Sequence, residues 1–174
     1  MTASGSFTIL GVDPGLSGAL ALLQVNPNGV LRLLSVADMP LVAVKKSTKT
    51  QNEINLPLLS VLVAPPMAEL PARAVIELVH AMPGQGVVSM FRFGQALGAV
   101  SGVCAALGIP TTFMPPREWQ RAVRHTGRAD KSASRLLASE LYPEKAHLFS
   151  RVKDDGRAEA VLIATAAAKL IFHA

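Results

Sequence analysis

Phe7-Thr8-Ile9-Leu10-Gly11-Val12-Asp13-Pro14-Gly15-Leu16-Ser17-Gly18 is the stretch on which the fold turns: a β-prone run ends on an acid and breaks at once in a turn cluster of Pro14, Gly15 and Gly18. Ala19 to Val25 and Val30 to Val36 read as two further strands, joined by the turn Asn26-Pro27-Asn28-Gly29. The chain is therefore expected to open with three antiparallel strands. Val44 to Glu53, with Lys45, Lys46 and Lys49 among Ser, Thr and Gln, reads as an exposed loop. Leu56 to Val63 is expected to be a helix capped by Asn55, with Pro57 tolerated in its first turn, and Ala74 to Val79 a short strand. A long helix is expected over Ser89 to Leu107, stopped by Gly108 and Pro110. Thr111 to Met114 reads as a strand, and Pro116 to Arg124, Lys131 to Leu141 and Asp155 to Phe172 as helices. Strands first, then strands alternating with helices, predict an α/β fold, a mixed five-stranded sheet flanked by helices. At 174 residues a single domain over 1–174 is expected. Gly94, Gly98 and Gly102 recur every fourth residue of the long helix and make one smooth face, expected to pack on the sheet in preference to another subunit.

Four acids carry the chemistry. Asp13 ends the first strand, where the turn pushes its carboxylate out at the sheet's end. Glu77 lies inside the apolar strand Ala74-Val75-Ile76-Glu77-Leu78-Val79, a costly place for a charge. It needs a base such as Arg73, a proton or a cation, and alone it divides evenly between a structural ion pair and a metal site. Asp155 and Glu159, four apart at the start of the last helix, project from one face and repel each other unless a cation intervenes. The helix dipole gives that pair partial relief. Asp154 competes with Asp155, but Asp154 and Glu159 fall on divergent faces, which favours Asp155. Hard oxygen ligands without a Cys/His cluster suit Mg²⁺ or Mn²⁺ in preference to zinc. Two such ions about 4 Å apart hydrolyse phosphodiesters by activating water and stabilising the leaving oxygen.

Composition narrows the partners. Half the residues are hydrophobic and 17% charged, which argues for a packed globule against a disordered chain. The net charge of +5 understates the basic excess elsewhere, because four acids are assigned to one site. Between Arg117 and Arg135 stand Arg117, Arg121, Arg124, Arg128, Lys131 and Arg135 against Glu118 and Asp130. Arg117, Arg121 and Arg124 share one helix face, Lys131 and Arg135 another. Lys131 falls in a first helical turn, where a cation is disfavoured unless an anion such as a DNA phosphate binds with it. Lys45, Lys46 and Lys49 are expected to grip a backbone by charge, and Arg92 to stack or pair at an exposed base step. Its neighbours Phe91 and Phe93 are equally expected in the core, and Trp119 and Tyr142 at the core's edge. Cys104, the only cysteine, sits in an apolar run and is expected to be a buried thiol. With no basic region followed by an apolar stretch near Met1, and no uninterrupted run of roughly 20 apolar residues, a soluble, cytoplasmic protein is expected.

The ordered segments Ile9-Leu10-Gly11-Val12-Asp13-Pro14-Gly15, Ala74-Val75-Ile76-Glu77-Leu78-Val79-His80, Phe93-Gly94-Gln95-Ala96-Leu97-Gly98, Asp130-Lys131-Ser132 and Arg157-Ala158-Glu159-Ala160 resemble the motifs of the RuvC family of Holliday-junction resolvases, over nearly the whole chain. His80-Ala81-Met82-Pro83-Gly84-Gln85-Gly86 is similar to the phage- and prophage-type branch. The resemblance implies a ribonuclease H-like core, a homodimer, a Mg²⁺-dependent site in each subunit and paired nicks across a four-way junction. It implies Asp13, Glu77, Asp155 and Glu159 as metal ligands and Lys131 as a base near the scissile phosphate. The chain departs from bacterial members in the spacing of its last acids and in carrying His80 where an aromatic wedge is common, so junction distortion falls to His80, Met82, Phe91 or Phe93. Three rival readings stand beside this one: a nuclease for flaps, forks or hybrids, a non-catalytic junction binder, and an actin-like nucleotide-binding protein suggested by Asp13-Pro14-Gly15-Leu16-Ser17-Gly18. The last needs about twice this length.

Overall fold

The computed structural model describes residues 5–46, 49–64, 71–78, 80, 84, 86–124 and 131–172. Arg128, Asp130, Met82 and His125 lie outside the described residues, as do the side chains of Lys46 and Lys131.

Three strands open the chain: β1 (Phe7–Asp13), β2 (Ala19–Val25) and β3 (Leu31–Asp38). β2 runs antiparallel to both neighbours, paired with β1 from Phe7–Val25 to Asp13–Ala19. The strands β6 (Arg73–Glu77) and β7 (Thr111–Met114) then add parallel to β1, giving a five-stranded sheet in the order β3-β2-β1-β6-β7. The mixed five-stranded architecture expected from the sequence is thus observed.

The loop expected over Val44 to Glu53 is strand at residues 44–46 and 49–53. β4 (Leu41–Lys46) and β5 (Lys49–Ile54) pair antiparallel as a separate hairpin, from Leu41–Ile54 to Lys46–Lys49. Its polar sequence hides it, because backbone ladder bonds and not an alternating apolar face hold its register. The helix α1 (Leu56–Val63) begins at the expected cap, where the Asn55 side chain accepts from the Leu58 N–H at 3.1 Å.

Both faces of the sheet are covered, which explains why β1 and β2 read as continuous apolar runs. Leu10 and Val12 of β1, with Ala74 and Ile76 of β6, pack under α1 and α2 (Val87–Ala106) through Leu59, Val63, Val100 and Cys104. Ile9 and Val75 point the other way, into the core beneath α3 (Pro116–Ala122), α4 (Lys131–Leu141) and α5 (Asp155–Phe172). Two short 3-10 segments, Pro143–Phe149 and Val152–Asp154, lead into α5.

α2 departs from expectation twice. Only Ala96, Val100 and Cys104 of it are buried, and Gly94, Gly98 and Gly102 have nothing within 4 Å of where a Cβ would stand, so the glycine face does not pack on the sheet. Helical periodicity shows that these glycines share a face; which way the face points depends on tertiary packing. The helix is also long and apolar enough to cross a membrane by length and composition, against the reading that Arg92 and the glycines interrupt it too often.

Candidate active site

Strand alternation decides where the first two acids point. Asp13 is two residues beyond Gly11 and Glu77 two beyond Val75, so both project to the α5 side of adjacent parallel strands whose pairing runs through Gly11–Val75 and Val12–Ile76. They sit at the carboxyl ends of those strands, beside the place where β1 changes from an antiparallel to a parallel neighbour. Such crevices are where open α/β sheets place their sites.

The last helix is pressed onto that corner. A Cβ on Gly11 would lie 2.3 Å from the Ala160 carbonyl oxygen, and one on Gly156 would lie 2.4 Å from the Ser17 carbonyl oxygen. Only glycine permits either approach. From this contact line Arg157 turns to the β3 side, where its guanidinium donates to Asp38 at 2.5 and 2.7 Å. By helix periodicity Asp155 and Glu159 lie on the opposite flank of the same turns.

Glu77 is nearly buried, and its Oε1 accepts from the Trp119 indole N–H at 2.8 Å. Burial pushes its carboxyl above the usual range, the Trp119 bond draws it back down, and the negative charge of Asp13 pushes it up again. The ion pair with Arg73 is not what holds it: Arg73 is exposed at the other end of the strand. Trp119 was expected at the core's edge but is fully buried. A buried indole and a buried acid each need a partner, but sequence alone gives no sign that residues so distant meet.

Asp154 is occupied structurally. Its carboxylate accepts from the Arg151 backbone N–H at 2.8 Å and from Arg151 Nη2 at 2.8 Å, and Arg157 Nη1 lies 3.8 Å away. These bonds, the Arg151 side chain first, hold its carboxyl below the ordinary range against the opposing effect of burial. Asp155 faces Arg135, whose Nη1 donates to its Oδ1 and also to the Val152 carbonyl at 3.1 Å. Glu159 is half-buried one turn further on.

Asp13 and Glu77 are thus brought together, while Asp155 and Glu159 lie on α5, which packs on β1 and β6, with Asp155 paired to Arg135. Among the described residues no three His, Cys, Asp or Glu side chains are near enough to hold an ion as a closed group. The donor chemistry nevertheless fits a hard divalent cation: two carboxylates side by side, one resisting ionisation because of burial and its neighbour's charge.

Of the basic residues, Arg117 and Arg121 are exposed along α3, and Arg124 lies beyond the helix end in a left-handed turn (φ 58°), off the shared face expected for it. Lys45 and Lys49 are exposed on the β4–β5 hairpin, and His80 is exposed after β6. Arg92 lines a groove with Leu16 and Ser17 of the Asp13 turn. Phe91 is 67% exposed, not buried as its apolar surroundings imply.

No family model matches the chain. It is 30% identical over 128 residues to a crossover junction endodeoxyribonuclease RuvC of Nitratidesulfovibrio vulgaris (strain DP4), covering 74% of this chain and 73% of that protein. A chloroplastic Holliday junction resolvase of Chlamydomonas reinhardtii is 30% identical over 89 residues, which is 51% of this chain and 10% of the relative. The solved structure of Thermus thermophilus RuvC in complex with Holliday junction substrate superposes with a TM-score of 0.63 over 95% of this chain and 96% of that one, at 18% identity, a likeness of fold.

Proposed function

The chain belongs to the RuvC family of crossover junction endodeoxyribonucleases, and from that premise we propose that it resolves four-way DNA junctions by paired, symmetric, metal-dependent nicks. The observation that carries the reading is the Asp13–Glu77 pair, two like charges held together at the end of adjacent strands with one of them nearly buried. That pair is a net cost to the fold which a bound dication relieves.

Asp13, Glu77, Asp155 and Glu159 would hold Mg²⁺ or Mn²⁺, with two ions supplying an activated water and charge neutralisation at the phosphate. The chain's own groups do the positioning. Trp119 fixes one oxygen of Glu77. Arg135 holds Asp155 in place and neutralises it until an ion arrives. Gly11 and Gly156 set the height of α5, and with it the last two acids, above the strand ends. Lys45, Lys46, Lys49, His80, Arg92, Arg117, Arg121, Arg124, Arg128 and Lys131 supply the phosphate contacts.

Two cuts related by symmetry require two sites, and a homodimer provides them. The exposed, glycine-lined face of α2 supports that assembly, since it lets a second backbone approach closely. The test is a gel comparing wild type and Glu77→Gln on labelled four-way, three-way, flap and linear DNA, with and without Mg²⁺. Wild type is expected to cut the four-way junction only with metal, and the variant to bind it without cutting. Cutting by the variant would overturn the assignment, and equal cutting of flaps or forks would move the substrate to other branched DNA.

A further inference from the structure

α4 and α5 pack against each other, and one contact between them involves a proposed metal ligand. Arg135, in the second turn of α4, turns toward the start of α5, where its Nη1 donates both to Asp155 Oδ1 and, at 3.1 Å, to the Val152 carbonyl. Both side chains of the pair are more than four-fifths shielded from water, at 17% and 19% exposed. An ion pair so placed is weakly screened, so a second cation that takes the carboxylate has to compete with it.

The neighbouring pairs are built differently. Arg151 grips Asp154 through its backbone N–H at 2.8 Å, its Nε at 3.1 Å and its Nη2 at 2.8 Å, and Arg157 meets both oxygens of Asp38, Nε on one and Nη2 on the other. Forked contacts of that kind are fixed joints. Asp155 is held through a single guanidinium nitrogen, and that nitrogen keeps an acceptor in the Val152 carbonyl when the carboxylate leaves. Of the three pairs this one is built to exchange. A hard dication and a guanidinium seek the same thing from Asp155, an ionised oxygen.

Resting on the metal-dependent nuclease reading, we propose that Arg135 is a resident counter-ion for Asp155 which a divalent ion must displace, so that the pair sets the metal concentration at which the site fills. Apparent affinity for the ion falls by the fraction of molecules in which Asp155 is released, so a pair populated about ten to one weakens metal binding about tenfold. Arg135 acts as a positioning residue, through Asp155, and its effect has a definite sign. Removing a bond that supports a metal ligand loosens the metal; removing a competitor tightens it.

Binding of Mn²⁺ to the full chain without DNA, read from the loss of the free-ion signal in electron paramagnetic resonance, decides that sign. Arg135→Gln and Arg135→Met are expected to bind Mn²⁺ about tenfold tighter than wild type, and Arg135→Lys, which retains the charge, to stay within about threefold of it. Unchanged or weaker binding in Arg135→Gln overturns the inference. In an Asp155→Asn background, which lacks both the pair and the ligand, adding Arg135→Gln is expected to change nothing. Equal tightening in both backgrounds would mean repulsion at a distance in place of competition, and refutes it. Wild type supplies a check that needs no variant to fold: in crystals grown without metal and then soaked in Mn²⁺, Arg135 is expected to leave Asp155 and keep the Val152 carbonyl. An unbroken pair beside a bound ion would refute displacement. If neither wild type nor Arg135→Gln binds Mn²⁺, the metal-dependent reading falls and the inference with it; if both bind it equally, the inference alone falls.

Discussion

Replacing Gly11 by alanine should damage the site without touching any residue in it. The new methyl would stand 2.3 Å from the Ala160 carbonyl oxygen and 2.7 Å from both the Ala164 nitrogen and Cβ, where ordinary contact begins at 3.4 Å. The obstructing atoms are mostly backbone at the centre of α5, so no rotamer change relieves them and the helix must lift by roughly an ångström. Overpacking of this kind costs about 1–3 kcal/mol, and with backbone on both sides the upper end applies. At ~3 kcal/mol the melting temperature of a chain this size falls by about 6–12 °C. The same lift carries Asp155 and Glu159 away from Asp13 and Glu77, and a misplacement of about 1 Å reduces catalysis by about a hundredfold. Thermal melts and single-turnover cleavage of a four-way junction check the two halves separately. Junction affinity should change little, since the arginines proposed to contact phosphate lie elsewhere. A Gly11→Ala protein that melts within 2 °C of wild type, or cuts at an unaltered rate, would refute the account of how α5 is seated.

Trp119→Phe removes the donor to Glu77 and part of a fully buried ring system; it should cost at least about 1–2 kcal/mol in a urea melt and shift the acid limb of the cleavage–pH profile upward, because the bond it removes holds that carboxyl down. In metal-free buffer, stability should decline as pH rises from the ordinary glutamate value of 4.5 toward the raised Glu77 value, since burial and Asp13 favour the protonated form; Glu77→Gln or added Mg²⁺ should abolish the decline. At the acid end the sign reverses: Asp154 and Asp38, both lowered chiefly by arginine bonds, contribute stability above the ordinary aspartate value of 3.8 that is lost as pH falls toward their folded values, so Asp154→Asn should flatten acid unfolding. Gly98→Leu fills open space on α2; it should leave the melt of the isolated chain nearly unchanged, shift sedimentation toward monomer and reduce paired nicking to single nicks.

The sequence was most legible where burial makes a residue conspicuous. Asp13 stands out at the end of an apolar strand and Glu77 inside one, and strand alternation alone orients both to one side of the sheet. Helix periodicity favours Asp155 over Asp154; in the structure both are engaged by arginine, Asp154 by Arg151 and Arg157 and Asp155 by Arg135. What could not be read depends on partners far along the chain. The indole of Trp119 finds Glu77 from a helix after β7, Arg135 finds Asp155 from the preceding helix, and no local pattern announces either meeting. The β4–β5 hairpin escaped for another reason: Lys45 to Gln51 carries almost no hydrophobic signal, and the apolar anchors Leu41 and Ile54 that pack on the core lie at the opposite end of the ribbon. The glycine stripe of α2 was visible as a stripe, but the side of the helix that meets the sheet is settled by Ala96, Val100 and Cys104.

Trp119 is the only tryptophan in the chain, and its indole nitrogen is tied to a carboxylate oxygen at the heart of the proposed centre. The protein therefore carries its own fluorophore against the group whose ionisation matters most. Emission excited at the red edge of indole absorption belongs to one known environment, so a titration with protons or divalent ions can be followed optically in unlabelled material, with Trp119→Phe as the dark control.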